Sequence, residues 1–160
     1  MRIRIFTTGG SIDKFYSTQK SDFIVGPPQI EQILIEANIN LDYQIKSLMQ
    51  KDSLEITTED RRSIYQHVLN DPSREIVITH GTDTMIESAK VLADVRDKVI
   101  VLTGAIQPAT FRTSDAAFNV GCAIMAVQIL PEGIYIVMNG KVFDPIKSRK
   151  NIRLDRFEAI

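Results

Sequence analysis

Several features common in other classes of protein are missing from this sequence of 160 residues. Its single cysteine, Cys122, excludes an internal disulfide, so a reducing compartment is the natural location. The 19 lysines and arginines are balanced by 20 aspartates and glutamates and form no basic stripe, which argues against a nucleic-acid partner. No apolar run reaches membrane-spanning length, and no signal peptide precedes the first predicted strand. We therefore expect a soluble cytoplasmic protein.

The composition is that of an ordinary globular domain. Hydrophobic residues make up 44% of the chain and charged residues 24%. A chain of this length can bury one sizeable core, and no internal repeat, linker or low-complexity tract divides it. We expect one domain over residues 1–160.

Short runs of isoleucine and valine alternate with longer segments of helical periodicity, which is the pattern of βαβ units. The predicted helices are residues 28–37, 57–69, 84–93 and 114–128, the second with Thr57 and Asp60 in a capping box. The predicted strands are residues 2–8, 44–49, 75–79, 99–103 and 133–138, with 141–143 paired to the last across a turn at 139–140. Continuous apolar strands are typical of a sheet covered on both faces. The pattern predicts a flavodoxin-like α/β fold, a mostly parallel sheet with helices on both faces.

Polar groups follow the predicted strands, and an open parallel sheet binds ligands beyond the carboxyl ends of its strands. After the first strand, Gly10 and Ser11 place a hydroxyl beside backbone without side chains, where N–H groups can stabilise an oxyanion. A tight strand exit or a phosphate-binding loop remains an alternative for this turn. After the third strand, Thr82 and Asp83 precede a helix. Either residue can be the N-cap of that helix. If Thr84 caps the helix instead, the side chains of Thr82 and Asp83 are free to face a binding cleft.

Two further residues have plain structural interpretations. His80 ends the third predicted strand and is interpreted as structural rather than as a base. Lys150 belongs to a basic run, residues 147–150, which composition alone would place in a solvated tail.

Several segments resemble the L-asparaginases of the bacterial type I/II class. Residues 8–12, TGGSI, resemble the family signature TGGTI, and residues 80–89, HGTDTMIESA, are similar to HGTDTMEETA. Further similarity lies in residues 23–26 (FIVG), in residues 104–108 (GAIQP) and in Ser114, Asp115, Phe118 and Asn119. Asp144 and Lys150 keep the six-residue spacing that precedes the family lysine. The resemblance covers essentially the whole chain in collinear order.

The resemblance implies an amidohydrolase in which Ser11 attacks the amide carbonyl of L-asparagine, and more weakly L-glutamine. Ammonia leaves, and water cleaves the remaining aspartyl ester. Thr82, Asp83 and Lys150 would form a second hydroxyl–acid–lysine group in which Lys150 acts as base toward Thr82. Asp83 would orient the lysine and bind the substrate amino group. No metal or organic cofactor is implied.

The resemblance also implies where the substrate binds. Ser53, with Asp52, is the candidate for holding the substrate α-carboxylate, because the family uses a serine-containing turn after the second strand. Gly10, Gly81 and Ala105 lie in the other loops that carry the resemblance and are assigned to substrate binding.

Three departures from the family pattern qualify this assignment. Ser11 replaces the usual threonine, so the hydroxyl is kept but the methyl that restrains its rotamer is lost. Phe23 replaces the loop tyrosine, and Tyr16, five residues after Ser11, is the expected substitute. The chain resembles the short branch of the family, without the C-terminal asparaginase domain, and we expect a homo-oligomer, dimer or tetramer.

Two other functions remain as alternatives to asparagine hydrolysis. One is a sensor that binds asparagine or aspartate without turnover, and the other is a hydrolase of a larger amide.

Overall fold

The computed structural model describes all residues, 1–160, and contains ten strands and four α-helices. The helices are α1 (Ile30–Glu36), α2 (Thr58–Asn70), α3 (Met85–Val91) and α4 (Ala116–Ile129). The strands are β1 (Arg2–Gly9), β2 (Lys14–Ser17), β3 (Asp22–Val25), β4 (Asp42–Lys51), β5 (Glu75–Thr79), β6 (Val99–Thr103), β7 (Gly133–Met138), β8 (Lys141–Phe143), β9 (Ser148–Asn151) and β10 (Arg156–Ala159). None of the helices is both long and apolar enough to cross a membrane.

The central sheet has six strands in the order β4-β1-β5-β6-β7-β8. The first five are parallel, and β8 is antiparallel to β7. Counted along the chain, the parallel strands follow the order 2-1-3-4-5, which is that of flavodoxin-like folds. The predicted fold class is therefore confirmed. The strand order reverses between β1 and β5, and such a switch point is where open α/β sheets bind ligands.

Two hydrophobic layers explain why the strands are apolar along their whole length. On one face, residues such as Val77 and Val101 pack with α1 and α4. On the other face, residues such as Ile78 and Ile100 pack with α2 and α3. Because successive side chains of a strand point to opposite faces, a sheet between two helix layers needs apolar residues at every position.

The helix starts agree only in part with expectation. The capping box of α2 is confirmed, since the Asp60 N–H donates to the Thr57 hydroxyl at 3.1 Å and the Thr57 N–H donates to the Asp60 carboxylate at 2.9 Å. The capping bond considered for Thr84 is not formed. Its hydroxyl instead donates to the Ser53 carbonyl at 2.6 Å and ties the start of α3 to the loop after β4.

Two small antiparallel hairpins lie outside the central sheet and had no counterpart among the predicted elements. The β2–β3 hairpin follows the first loop, and the β9–β10 hairpin lies at the end of the chain. Their strands have only four residues each, too few for a clear period-2 pattern. The second hairpin is fixed by Phe157, which is buried against Phe143 with ring centroids 6.0 Å apart.

Truncating two isoleucines should lower the free energy of unfolding by different amounts, because only one of them lies in the double-layered core. Ile100 is fully buried, so Ile100→Ala should lower the free energy of unfolding by about 2–5 kcal/mol. The matched control is Ile152→Ala, which alters a side chain 82% exposed and should change stability by less than about 0.5 kcal/mol. Urea unfolding measures both, and equal losses would contradict the proposed core.

Candidate active site

The site is organised by direct contact between the loops after β1, β4 and β5. At Gly10, φ is +85° and a Cβ would overlap the backbone of Gly81. A Cβ on Gly81 would in turn lie 2.6 Å from the Cβ of Ser53. Only glycine allows backbones to approach this closely. The structure thus brings together Gly10, Gly81 and Ser53, all predicted as substrate-binding residues.

Ser11 begins a short 3-10 turn, Ser11–Asp13, immediately after β1. The turn is held from two sides, since the Gly10 N–H donates to the Lys51 carbonyl at 2.9 Å and the Ala109 N–H donates to the Ile12 carbonyl at 3.1 Å. Ser11 itself is partly exposed. Its hydroxyl therefore lies on a firmly positioned turn beside the β1/β5 switch point.

Lys150 joins Thr82 and Asp83 in one hydrogen-bonded group. Its Nζ donates to the Thr82 Oγ1 at 2.8 Å and to the Asp83 Oδ1 at 2.6 Å. A second carboxylate oxygen, Oδ1 of Asp155, lies 3.5 Å from the same nitrogen. The Lys150 side chain is only 11% exposed, so the interpretation of this residue as part of a solvated tail is wrong. The group lies next to Gly81 and hence next to the Ser11 turn.

The β9–β10 hairpin explains how a residue so late in the chain reaches this position. Lys150 on β9 is paired with Phe157 on β10, whose ring is buried in the core. Asp144 starts the connection to β9, because its carboxylate accepts from the Ile146 N–H at 2.9 Å and its carbonyl accepts from the Ser148 hydroxyl at 2.7 Å. The six-residue spacing from Asp144 to Lys150 therefore corresponds to one capped turn followed by a strand.

Asp52 and Ser53 have different environments although they are neighbours. Ser53 is buried against Gly81. Asp52 binds Lys14 of the β2–β3 hairpin at 2.6 Å and accepts the Leu54 N–H at 3.0 Å. Burial alone would raise the pKa of Asp52, but these bonds and the positive charges of Lys14 and Lys150 hold it below its ordinary value. Both carboxylate oxygens of Asp52 thus have partners within the protein.

Tyr16 lies on β2, exposed, with its ring edge-on to Phe23 at a centroid distance of 5.4 Å. Phe23 packs in the same manner on Phe111 at 5.6 Å. The Tyr16 hydroxyl forms no hydrogen bond to the group around Lys150. Tyr16 therefore belongs to an aromatic cluster on the β2–β3 hairpin.

His80 is buried between the end of β5 and the start of α3. Its Nδ1 lies 2.7 Å from the Gly81 carbonyl oxygen, and its Nε2 lies 2.7 Å from the Ser88 Oγ. Burial lowers the pKa of His80 to about 4, so the ring is neutral near pH 7. Its bond to Gly81 fixes the peptide that precedes Thr82.

The loop after β6, which carries the predicted residue Ala105, is held by a network around Asp115. The Asp115 carboxylate accepts from the N–H groups of Ile106 and Gln107 at 3.0 and 3.1 Å, and the Asn119 amide donates to the Gly104 carbonyl at 2.9 Å. Burial would raise the pKa of Asp115, but these backbone donors keep it below its ordinary value. Asp115 and Asn119 carried the family resemblance, and their structural role is to hold this loop.

Asp13 is a buried acid that the sequence motifs did not identify as part of the site. One carboxylate oxygen accepts the Gln29 N–H at 2.9 Å, and its carbonyl accepts the Gly26 N–H at 2.9 Å. Burial raises the pKa of Asp13 from 3.8 to about 7, against the smaller opposing effect of the Gln29 bond. Asp13 therefore connects the Ser11 turn to the base of the β2–β3 hairpin. Its carboxyl group loses its proton near neutral pH.

Because its pKa is raised in the folded chain, Asp13 should make the stability of the fold depend on pH. The folded chain retains the Asp13 proton to about pH 7 and the unfolded chain releases it near 3.8, so stability should fall as the pH rises between these values. Asp13→Asn should remove this component, which amounts to at most about 4 kcal/mol at pH 8. Urea unfolding at pH 4, 6 and 8 measures it, with the exposed Glu31→Gln as control. An Asp13→Asn variant with the same pH dependence as the unaltered chain would contradict the assignment.

These features define a doubly wound α/β protein with a strand-end hydroxyl beside a lysine–threonine–aspartate group. The family model described as asparaginase, N-terminal, matches residues 2–160. The chain belongs to the asparaginase family, and the resemblance seen in its motifs is confirmed.

Individual relatives support the same assignment. The chain is 30% identical to L-asparaginase 2 of Escherichia coli over 89% of its own length and 44% of that protein. It is 32% identical to L-asparaginase 2-1 of Saccharomyces cerevisiae over 98% of its own length and 48% of that protein. The thermostable L-asparaginase from Thermococcus kodakarensis superposes with a TM-score of 0.85 at 27% identity, over all of this chain and 51% of that one. The chain thus spans about half the length of these relatives.

Proposed function

We propose that this chain hydrolyses the side-chain amide of L-asparagine to L-aspartate and ammonia, with L-glutamine as a poorer substrate. The observation that carries the proposal is the bond from the sheltered Lys150 Nζ to the Thr82 hydroxyl at 2.8 Å, beside the Ser11 turn. A lysine within hydrogen-bonding distance of a hydroxyl, oriented in turn by an acid, is an arrangement that activates hydroxyl groups. Every assigned residue lies between Gly10 and Lys150, so the proposal places the reaction on this one α/β domain.

In the first half of the reaction, the Ser11 oxygen adds to the amide carbon. The carbonyl oxygen becomes negatively charged, and backbone N–H groups of the loops after β1 and β5 stabilise it. The carbon–nitrogen bond then breaks, and the nitrogen leaves as ammonia with the proton that Ser11 has lost. In the second half, water adds to the aspartyl ester, releasing aspartate and restoring the Ser11 hydroxyl.

The group around Lys150 moves the protons in this scheme. Lys150 is the base that accepts the Thr82 proton, and Thr82 takes a proton from the attacking hydroxyl or water and returns it to the leaving group. Asp83 binds Lys150 through one carboxylate oxygen, which leaves the other for the substrate ammonium. No step needs a metal or an organic cofactor.

Substrate binding is divided among the loops that meet at Gly81. Ser53 binds the α-carboxylate from the loop after β4, and Gly10, Gly81 and Ala105 provide the close backbone walls. Asp52, which already binds Lys14 at 2.6 Å, fixes the β2–β3 hairpin beside the site. Tyr16, which is exposed on that hairpin, is the remaining catalytic residue of the proposal, and only the family resemblance supports this role.

A larger amide is the second candidate substrate, because an open cavity adjoins the catalytic group. The cavity has a volume of about 640 Å³ and includes Asp83 and Lys150 in its lining. The apolar Leu54, Ile86 and Ile152 share this lining with the charged Glu87, Lys90 and Arg149. Cavities of this size hold ligands well above a single amino acid. An asparagine that carries a larger, partly polar extension would use this space.

Substitutions at the two ends of the proton path test the proposed reaction. Ser11→Ala and Lys150→Met should each reduce ammonia release from L-asparagine at least about 1,000-fold, because they remove the nucleophile and the base. The control is Lys147→Met, which changes an exposed lysine of the same basic run and should leave the rate within about twofold. The assay couples released ammonia to a spectrophotometric readout.

Two outcomes would overturn the proposal. Release that survives both substitutions would assign the chemistry to other residues. If no amide is hydrolysed but aspartate still raises the melting temperature, the chain is a sensor rather than an enzyme.

A further inference from the structure

Arg61, in the first turn of α2, binds a hydroxyl and a carbonyl rather than an acid. Its Nε donates to the Ser88 hydroxyl at 3.1 Å, and its Nη1 donates to the Ile56 carbonyl at 3.2 Å. The acids that precede it in the sequence, residues 59 and 60, pair with other cations. An arginine usually binds a carboxylate, because its planar guanidinium matches that group with two parallel bonds. The charge of Arg61 is therefore directed at Ser88 instead of being neutralised in an ion pair.

A chain of hydrogen bonds runs from Arg61 to the candidate active site. The hydroxyl of Ser88, on α3, lies 2.7 Å from the His80 Nε2. The His80 Nδ1 lies 2.7 Å from the Gly81 carbonyl oxygen, and Thr82 follows directly in the sequence. Ser88 and His80 are both buried, so water does not compete for these bonds. The chain thus connects a partly exposed arginine on α2 with the loop after β5.

Donor and acceptor chemistry gives this chain a single direction. The Gly81 carbonyl can only accept, so the His80 Nδ1 carries a hydrogen. Burial lowers the pKa of His80 to about 4, so the ring is neutral near pH 7 and its Nε2 is an acceptor. The Ser88 hydroxyl therefore donates to Nε2, and its oxygen accepts from the Arg61 Nε, which always carries its hydrogen. The Nδ1–H tautomer of His80 satisfies every bond in the chain.

We propose that Arg61 is a positioning residue of the candidate active site, which holds His80 in its Nδ1–H tautomer and so fixes the loop that carries Thr82. The Arg61 Nε–H occupies the hydroxyl oxygen that a hydrogen on the His80 Nε2 would otherwise use. The positive charge also disfavours a hydrogen on that nitrogen, and Arg61 accordingly lowers the pKa of His80. Because arginine does not release its proton, the chain acts by orientation and not as a proton relay.

The orientation of the Gly81 carbonyl determines where Thr82 begins, because the peptide unit between them is planar. A rotation of this unit would move the Thr82 hydroxyl relative to the Lys150 Nζ, which donates to it at 2.8 Å. The role of Arg61 rests on the proposed function, in which Lys150 acts as base toward Thr82. Ser53 lies outside the chain, so we expect the binding of the substrate α-carboxylate to depend little on Arg61.

Two substitutions of similar shape separate the hydrogen bond from the bulk of the side chain. In Arg61→Gln, the amide nitrogen stands where the arginine Nε stood, so the bond to Ser88 can still form. In Arg61→Met, a methyl group stands there, so the apolar stem is kept and the bond is lost. The matched control is Arg62→Met, which alters the adjacent exposed arginine, whose ion pair is with Glu59 at 3.2 Å.

The ring nitrogens of His80 report the tautomer directly and without substrate. The chain has two histidines, so ¹⁵N labelling of histidine shows only the rings of His67 and His80, and His67→Gln assigns them. In the unaltered chain, in Arg62→Met and in Arg61→Gln, Nδ1 of His80 should be protonated and Nε2 should not. Arg61→Met should give nitrogen shifts averaged between the two tautomers, while unchanged His67 shifts show that the fold is kept. A protonated Nε2 in the unaltered chain, or His80 shifts that Arg61→Met does not alter, would overturn the proposal.

Ammonia release from L-asparagine tests the consequence for catalysis. Arg61→Met should lower kcat about 10-fold and leave KM within about twofold, and Arg61→Gln should recover most of the loss. In a Ser88→Ala background, Arg61→Met should have no further effect, because the chain is already broken. Additive losses would overturn the proposal, since Arg61 would then act by another route. If the unaltered chain releases no ammonia, the proposed reaction fails, whereas the His80 tautomer still decides whether Arg61 positions the loop.

Discussion

The backbone at Gly10 lies so close to Gly81 that a Cβ on the first would overlap the second. This contact joins the loops that leave β1 and β5, at the point where the strand order reverses. Ser11 follows one glycine, and Thr82 and Asp83 follow the other. Any side chain at either position would separate the two loops and with them the serine from the lysine–threonine–aspartate group. The positions of the candidate catalytic residues therefore depend on this one approach.

The remaining parts of the site are held to that contact by buried polar bonds. The His80 ring links the Gly81 carbonyl oxygen to the Ser88 hydroxyl of α3, and Asp115 fixes the loop after β6 from the start of α4. The Thr84 hydroxyl donates to the Ser53 carbonyl and so holds the loop after β4. Taken together, these contacts join different elements of the fold, so the rigidity of the two core layers is transmitted to the site. Pre-organisation of this kind lowers the cost of assembling a reactive geometry.

Lys150 and Asp13 show two different ways in which the core controls the site. Lys150 is placed by a strand whose partner buries Phe157 in the α2–α3 layer. Asp13 is itself buried and couples the nucleophile turn to the β2–β3 hairpin through Gln29 and Gly26. Loss of the Asp13 proton near neutral pH leaves a charge without a cationic partner at this junction.

Much of the fold was predictable because local pattern and tertiary structure agree. The Ile/Val strands of the central sheet needed burial on both faces, and Thr57 with Asp60 marked the start of α2 through local bonds alone. The β9–β10 hairpin was not predictable from pattern, since its four-residue strands are held by the distant Phe143. The same holds for Asp52, whose partner Lys14 lies 38 residues away. Spacing and motifs indicated Ser11, Thr82, Asp83 and Lys150 through family resemblance, whereas composition alone would have left Lys150 in solvent.

The central claim is that the loops at the β1/β5 switch point form one site for an amino-acid amide. A crystal structure of the chain soaked with L-aspartate, the proposed product, tests it most directly. We expect the aspartate side-chain carboxyl to lie against the Ser11 and Thr82 hydroxyls, with its ammonium on Asp83 and its α-carboxylate on Ser53. Aspartate bound elsewhere on the protein, or no bound aspartate at saturating concentration, would contradict it.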